Sequence, residues 1–176
     1  MANPGDDTAL IVPVHLPAPL EAVRRRAIPD ARLGLPAHVT LLYPFAPLDV
    51  LDDDLRALLA GVMGGVSAFE FALRGQGRWP EVMFATVEPD LPFRSLHDRL
   101  SAAFPSYPIY GGRFDFVPHV TIAEGPLAAG SEIADDAAWT ALPVRRMARS
   151  AELIVRDGDR WHARWRFAFR AADRPA

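Results

Sequence analysis

"LPAHVTLLYPF" at residues 35–45 and "DFVPHVTIAEG" at residues 115–125 carry one phrase twice. His38-Val39-Thr40 and His119-Val120-Thr121 each follow a nearby proline, Pro36 or Pro118, and each precede an aliphatic residue, Leu41 or Ile122. A single His-x-Thr is an ordinary half-exposed pair on a strand. Two copies with shared flanks, about half a chain apart, read as an internal duplication, and the rest of the sequence falls into place around them.

Working outward from the first copy, residues 8–16, "TALIVPVHL", read as an apolar central strand. Residues 17–28 read as a short helix with Pro19 in its first turn. Arg24 to Arg26 stand near its C-terminal end, where they suit the helix dipole. The first motif strand follows, and Tyr43 falls on the parity of Val39 and Leu41, facing the core. "LDDDLRALLAGVMGG" is a helix with acids in its first turn and glycine at its end. "AFEFALRGQGRW" and "EVMFATVE" are two strands joined across Gly77 to Pro80. The pattern then restarts. "LPFRSLHDRLSAAF" is an amphipathic helix, "PSYPIYGGRFDFVP" a loop, "PHVTIAEG" the second motif strand and "SEIADDAAWTAL" an acidic helical stretch. Residues 143–170 form a hairpin turning at Asp157-Gly158-Asp159. Its last strand sets Trp161, Ala163, Trp165, Phe167 and Phe169 on one face, and His162, Arg164, Arg166, Ala168 and Arg170 on the other.

This order predicts an α+β fold of two pseudo-symmetric lobes, each with a mainly antiparallel sheet lining a central cleft and helices outside. The expectation is one domain over 1–176 with its core at 8–170. A chain of 176 residues, half of them hydrophobic, can build that core without disulfides, and it has no cysteine for a disulfide or a thiolate metal site. No run approaches the ~18–20 apolar residues of a membrane span. The acidic opening "MANPGDDTAL" is unlike a signal peptide, so a cytoplasmic monomer is expected. The net charge of −3 gives no general pull toward polyanions. Every basic residue is arginine, which excludes a lysine nucleophile and leaves cationic phosphate contacts to guanidinium groups.

Side chains at i and i+2 of a strand share a face. His38 and Thr40 therefore project together, as do His119 and Thr121, while Val39 and Val120 point into the core. Four polar side chains converging on one cleft suit acid–base chemistry at a phosphodiester. One imidazole takes a proton from the nucleophile, and the other gives one to the leaving oxygen. The two hydroxyls donate to non-bridging oxygens as charge grows there. A metal reading is weaker, because no carboxylate stands beside the motifs at ligand spacing except Glu124. Five positions from His119, Glu124 falls on the opposite face of a regular strand.

The paired "HVTL" and "HVTI", with "TALIVPV", "PAHVTLLYPF" and "YPIYGGRFDFVPHVTIA" around them, resemble the 2H phosphoesterase superfamily, and within it the bacterial 2′-5′ RNA ligase family proteins. The resemblance spans roughly residues 8 to 170. It implies a bilobal fold with the motif strands at the cleft and catalysis by His38, Thr40, His119 and Thr121. It also implies opening of nucleotide or RNA-terminal 2′,3′-cyclic phosphates to 2′-phosphomonoesters without a cofactor or metal. Two alternatives stand beside it: 2′-5′ ligation or hydrolysis of a 2′-5′ linkage by the same residues, and a non-catalytic nucleotide- or RNA-binding module. One position departs from the pattern. The RNA cyclic phosphodiesterase branch often has arginine where this chain has Glu124. A carboxylate there repels a polyanion and favours a small cyclic phosphate.

Further candidates lie near the motifs. Tyr43 and Tyr110 are candidates to stack on a base, and Arg113 to hold phosphate, from positions in or beside the second loop or the first strand. Arg78 and Trp79 are weaker candidates in the hairpin turn. His15 reads as a surface residue at a strand end, His97 as a solvated helix residue beside Asp98, and the His162 face as a solvated sheet surface. The duplication predicts that His38→Ala and His119→Ala each lower turnover of a cyclic phosphate by at least ~10²-fold. The double variant is expected to lose far less than the product of the two. Rates of all five histidine variants, with circular dichroism as the folding control, check this; a folded His162→Ala as impaired as His119→Ala would place the second histidine wrongly.

Overall fold

The computed structural model describes residues 8–130, 132–134 and 136–171. In chain order its elements are β1 (Thr8–Pro13), α1 (Ala18–Ala27), α2 (Pro29–Arg32), β2 (His38–Leu42), α3 (Asp53–Met63), β3 (Phe69–Trp79), β4 (Val82–Glu88), α4 (Leu91–Ala103), β5 (His119–Glu124), α5 (Pro126–Ala129), β6 (Val144–Ala148), β7 (Ser150–Asp157) and β8 (Arg160–Ala168). The α+β reading holds. β1–α1–β2 and β4–α4–β5 are the two equivalent units, each ending in a motif strand.

The strands lie in the order β6-β3-β4-β5-β2-β1-β7-β8, all neighbours antiparallel. Each half contributes four strands, with its motif strand innermost. The two four-stranded sheets join into one of eight through β2 and β5, where Val39 pairs with Val120. The helices cross over this seam. α1 packs on β5 of the other half and α4 on β2, so neither motif strand is covered by its own unit's helix alone. Leu20 and Val23 of α1, Phe93 and Leu96 of α4, and Val39 and Val120 of the seam all share one core on the helix-covered face. The chain after β8 hooks back to the segment before β3, with the Ala68 amide donating to the Arg170 carbonyl at 2.8 Å.

Local chemistry explains the element ends. Asp52 caps α3 by accepting from the Leu55 amide at 2.8 Å, with Asp53 and Asp54 in the first turn. The β7–β8 hairpin turns at Gly158-Asp159, with Gly158 at φ 57. Other expectations change. β3 runs on through Gly75 and Gly77 to Trp79, so the turn shrinks to Pro80-Glu81. Phe84, on the paired β4, fills the space above Gly77, whereas the space above Gly75 is open. The stretch from 131 to 142 yields only a 3₁₀ turn, Ala137–Ala141, capped by Asp136; Ser131 and Asp135 lie outside the described residues. β6 leaves the tail to pair with β3. No helix among the described residues is long and apolar enough to cross a membrane.

His97 is buried, not solvated. Its Nδ1 bonds the Leu41 carbonyl at 2.8 Å and its ring stacks on Phe116 at 4.0 Å, because α4 lies against β2. His15 is exposed. The final strand's alternation breaks at a bulge. Leu153 pairs with Trp165 but Ile154 pairs with Ala163, leaving Arg164 as the extra residue. Trp165, Phe167 and Phe169 keep to the main core, while Trp161 turns to the other face and joins Ala9, Ile11 and Ile154. The expected basic stripe of His162, Arg164, Arg166 and Arg170 is divided by the same slip.

A Cβ at Gly77 would stand 2.2 Å from the Phe84 ring, which Trp79 holds at 4.3 Å. Gly77→Ala is therefore expected to destabilise the fold by about 1–3 kcal/mol. A urea unfolding midpoint equal to that of the unaltered protein would show that the ring yields freely.

Candidate functional site

On the antiparallel ladder, the Val39–Val120 pairing carries His38 beside Thr121 and Thr40 beside His119, on the face opposite the two valines. The valines are fully buried, so the four polar groups are turned away from the main core. His38, Thr40 and Thr121 line a single pocket of about 290 Å³. His119 is not among the residues that line it, but is near enough that its charge opposes protonation of His38.

Both imidazoles are held in the same way. His38 Nδ1 lies 2.7 Å from the Pro36 carbonyl, and His119 Nδ1 lies 2.6 Å from that of Val117. In each case the partner is two residues upstream. A carbonyl can only accept, so each Nδ1 carries the proton and donates it. Each neutral ring then keeps its Nε2 lone pair free for the cleft. The prolines flank these carbonyls from different positions, Pro36 as the acceptor itself and Pro118 between Val117 and His119.

Burial disfavours the charged imidazolium. It pushes His38 down to about 4; the Pro36 hydrogen bond resists the shift, and Arg24 and His119 add to it. Burial also lowers His119, partly offset by Val117. Trp79 and Phe84 form that burial, their rings 4.7 and 5.1 Å from the His119 ring. Both rings are thus neutral at neutral pH in the open cleft. A negative charge placed beside either ring would favour its protonated form.

Directly after each His-x-Thr the strand carries a bulge. Thr40 pairs with Ile11 but Leu42 with Leu10, leaving Leu41 as the extra residue. Thr121 pairs with Phe84 but Ala123 with Met83, leaving Ile122 extra. The face parity flips in both copies. Leu41, Leu42, Ile122 and Ala123 are all buried. Tyr43 and Glu124, five positions beyond their histidines, turn into the pocket. This corrects two expectations: Tyr43 faces the cleft side, packed with Ile11, Ile154 and Trp161, and Glu124 shares the face of His119. Although Glu124 as a residue is exposed, burial of its carboxyl end pushes its pKa up. Arg24 acts against that shift and Asp30 with it.

Tyr110 lines the pocket, and its side chain hydrogen-bonds Thr40. Burial raises its phenol, the Thr40 bond lowers it and Glu124 raises it. Its backbone sits at φ 50 and its amide donates to the Tyr43 carbonyl at 2.6 Å. A non-glycine residue in that region is held by its surroundings. Arg113 is exposed, donates Nε to the Tyr110 carbonyl at 3.2 Å and lies outside the pocket lining. Arg78 bonds the Ala129 carbonyl.

Sequence reading passed over Arg24, Asp30 and Trp161 on the pocket wall. A signal for Arg24 was present. With Leu20, Val23 and Ala27 it occupies the buried stripe of α1, where an arginine is out of place unless something inside needs it. Trp161 was hidden by the bulge at Arg164. Among the described residues no group of three or more His, Cys, Asp or Glu side chains is placed to hold a metal ion.

The family model of the 2′-5′ RNA ligase superfamily matches residues 12–160. No curated protein matches the chain in sequence. Among solved structures it is similar to the protein TT0787 of Thermus thermophilus, with 22% identity, a TM-score of 0.61 and coverage of 94% of this chain and 99% of that one. It is similar to E. coli LigT complexed with 3′-AMP at 17% identity, TM-score 0.60, covering 93% and 98%. A structure described as a phosphoesterase matches at 18% identity and TM-score 0.62, covering 94% and 99%. At these identities the likeness is one of fold.

The histidine shifts have a consequence for stability. Unfolded, His38 binds a proton near pH 6.5; folded, it stays neutral down to about 4. The unfolded chain therefore binds more protons in that window, and its share of stability is lost as the pH falls through it. Melting temperature is expected to drop between pH 6.5 and 4, and His38→Gln to remove part of the slope. Parallel melting curves for the two proteins would exclude a buried neutral His38.

Proposed function

The chain belongs to the 2′-5′ RNA ligase superfamily, and on that premise we propose that it opens 2′,3′-cyclic phosphates to 2′-phosphomonoesters by two-histidine acid–base catalysis. One observation carries the reading. Two imidazoles, each fixed through Nδ1 to a carbonyl two residues upstream, have Nε2 free beside two threonine hydroxyls on one sheet face.

In the proposed reaction one Nε2 takes a proton from water as the water oxygen bonds to phosphorus. The bond from phosphorus to the 3′ oxygen breaks, and the other imidazole, protonated when the anion binds, gives its proton to that oxygen. The product is a 2′-phosphomonoester with a free 3′ hydroxyl. Thr40 and Thr121 donate to the non-bridging oxygens, each contributing ~2–4 kcal/mol to the barrier reduction. Every proton moved is accounted for by the two rings and one water, so the sequence of steps calls on no metal. With a sugar 5′ hydroxyl in place of water as the nucleophile, the same steps form a 2′-5′ phosphodiester, and run in reverse they cleave one. That is the basis for the alternative, 2′-5′ joining or cleavage.

Glu124 on the pocket wall supports a small substrate over a long RNA, since its charge opposes a second phosphate in the same place. Tyr43 and Trp161 supply flat surfaces in that pocket on which a nucleobase can rest. One of the similar structures is a complex of E. coli LigT with phosphate, which supports a phosphate-bearing ligand here.

Turnover of 2′,3′-cyclic mononucleotides is expected to persist in excess EDTA with a bell-shaped pH profile, and to exceed that of an RNA oligonucleotide with a cyclic end. An EDTA-abolished rate restored by a divalent ion would overturn the mechanism. Binding without turnover of any cyclic phosphate or 2′-5′ linkage would leave the non-catalytic module as the function.

A further inference from the structure

Arg24 is among the most deeply buried side chains of the protein, 2% exposed, in the middle of the apolar stripe of α1. Its partners explain why it is there. One terminal nitrogen, Nη2, donates to the Leu35 carbonyl at 3.0 Å and to the Pro36 carbonyl at 2.9 Å. The Pro36 oxygen is the same atom that receives His38 Nδ1 at 2.7 Å. A carbonyl has two acceptor lone pairs; here one goes to the guanidinium and the other to the imidazole. The ion partner of Arg24, Glu21, lies 3.4 Å away at Nη1 and is more than a third exposed. Glu124, on the wall of the same pocket, is the other carboxylate whose charge acts on Arg24.

We propose that Arg24 is a positioning residue for His38: by gripping the Pro36 carbonyl it locks the imidazole in one orientation, with Nε2 presented to the cleft. The role rests on the reading of His38 as one of the two proton-transfer groups. The segment it clamps lies between α2 and β2, outside both elements, and proline has no amide N–H with which to tie itself down. The Leu35 amide is tied to the Asp30 carbonyl at 3.0 Å and the Ala37 carbonyl to the Val14 amide at 2.8 Å, but the two carbonyls between them, of Leu35 and Pro36, take no backbone donor among the described residues. Arg24 holds both, so the acceptor for His38 has a fixed position before any substrate arrives.

The second motif has no such clamp. Arg94 of α4 donates to the Phe116 carbonyl at 2.7 Å, but it is Val117 that holds His119. Arg94 is also half exposed and paired with Asp90 at 2.6 Å. The two histidines, alike in sequence, thus differ in what stands behind them. The other charged or titratable groups around His38 are His119 and Glu124 from β5, Asp30 from α2, Tyr43 just after β2 and Tyr110 from the loop before β5. Asp30 is itself paired with Arg156 of β7 at 3.8 Å. Of these, Arg24 and His119 act to keep His38 neutral, and only Arg24 does so permanently charged.

The test reads His38 directly, apart from activity. In the unaltered protein, ring nitrogen NMR is expected to show His38 as the Nδ1–H tautomer, its ring proton slow to exchange. In Arg24→Gln the His38 titration should move up by about one pH unit, while still lying below the ordinary histidine value, and the acidic limb of the kcat profile should move with it. Arg24→Lys keeps the charge, but its Nζ ends one bond short of the place that Nη2 occupies between the two carbonyls; its His38 should titrate near the unaltered position, with kcat at least roughly tenfold lower and KM little changed. An Nε2–H tautomer or a freely exchanging ring in the unaltered protein overturns the proposal whether or not the variants fold. So does a folded Arg24→Gln with unmoved titration, or a folded Arg24→Lys with full kcat. Should His38→Ala prove active, the catalytic reading fails, while the tautomer and titration results still decide whether Arg24 holds the ring.

Discussion

The pairing of Val39 with Val120 is the constraint on which the rest depends. Among the described strands it is the pairing that joins the ladders of the two halves, and it lies between the two histidine-threonine pairs. Strand alternation does the rest. With the valines driven into the core by burial, their neighbours have no choice but the opposite face. A slip of one residue at this seam would bury the polar groups and expose the valines. The exchange of α1 and α4 across the seam adds apolar contact to a ladder too short to hold by its hydrogen bonds alone.

A site built this way must keep histidines in poor contact with water, and burial lowers their proton affinity. The carbonyl locks work against that loss by stabilising the protonated ring, but their larger effect is geometric. They decide which nitrogen faces the cleft. The open site is consequently neutral at its centre, with its fixed cation one carbonyl behind His38 rather than in contact with it.

The bulges at Leu41 and Ile122 do what regular strands cannot. Beyond each threonine the chain must both bury two successive apolar residues and return a side chain to the cleft. One extra residue per strand achieves both, and the duplication preserved the device in each copy. The equivalent positions it delivers, Tyr43 and Glu124, carry different chemistry, one flat and neutral, the other acidic. The core of the site is therefore nearly symmetric while its walls are not. The pocket is walled in part by α2, β7 and β8, where Trp161 has been turned inward by a third bulge.

The amino-acid sequence by itself determined the duplication, the α+β order of elements, the four residues that meet at the seam and the side of each strand they occupy. All of these follow from spacing within a few residues, where strand and helix periodicities are reliable. Only the tertiary structure decided the positions of Tyr43, Glu124, Trp161, His97 and Arg24. The first three depend on bulges, which arise from how a neighbouring strand is paired and leave no local mark. His97 depends on α4 lying against β2, and Arg24 on a loop whose carbonyls lacked donors of their own. The stripe of α1 did show that an arginine would be buried; what it was buried for lay eleven and twelve residues further along the chain, in the carbonyls beside His38.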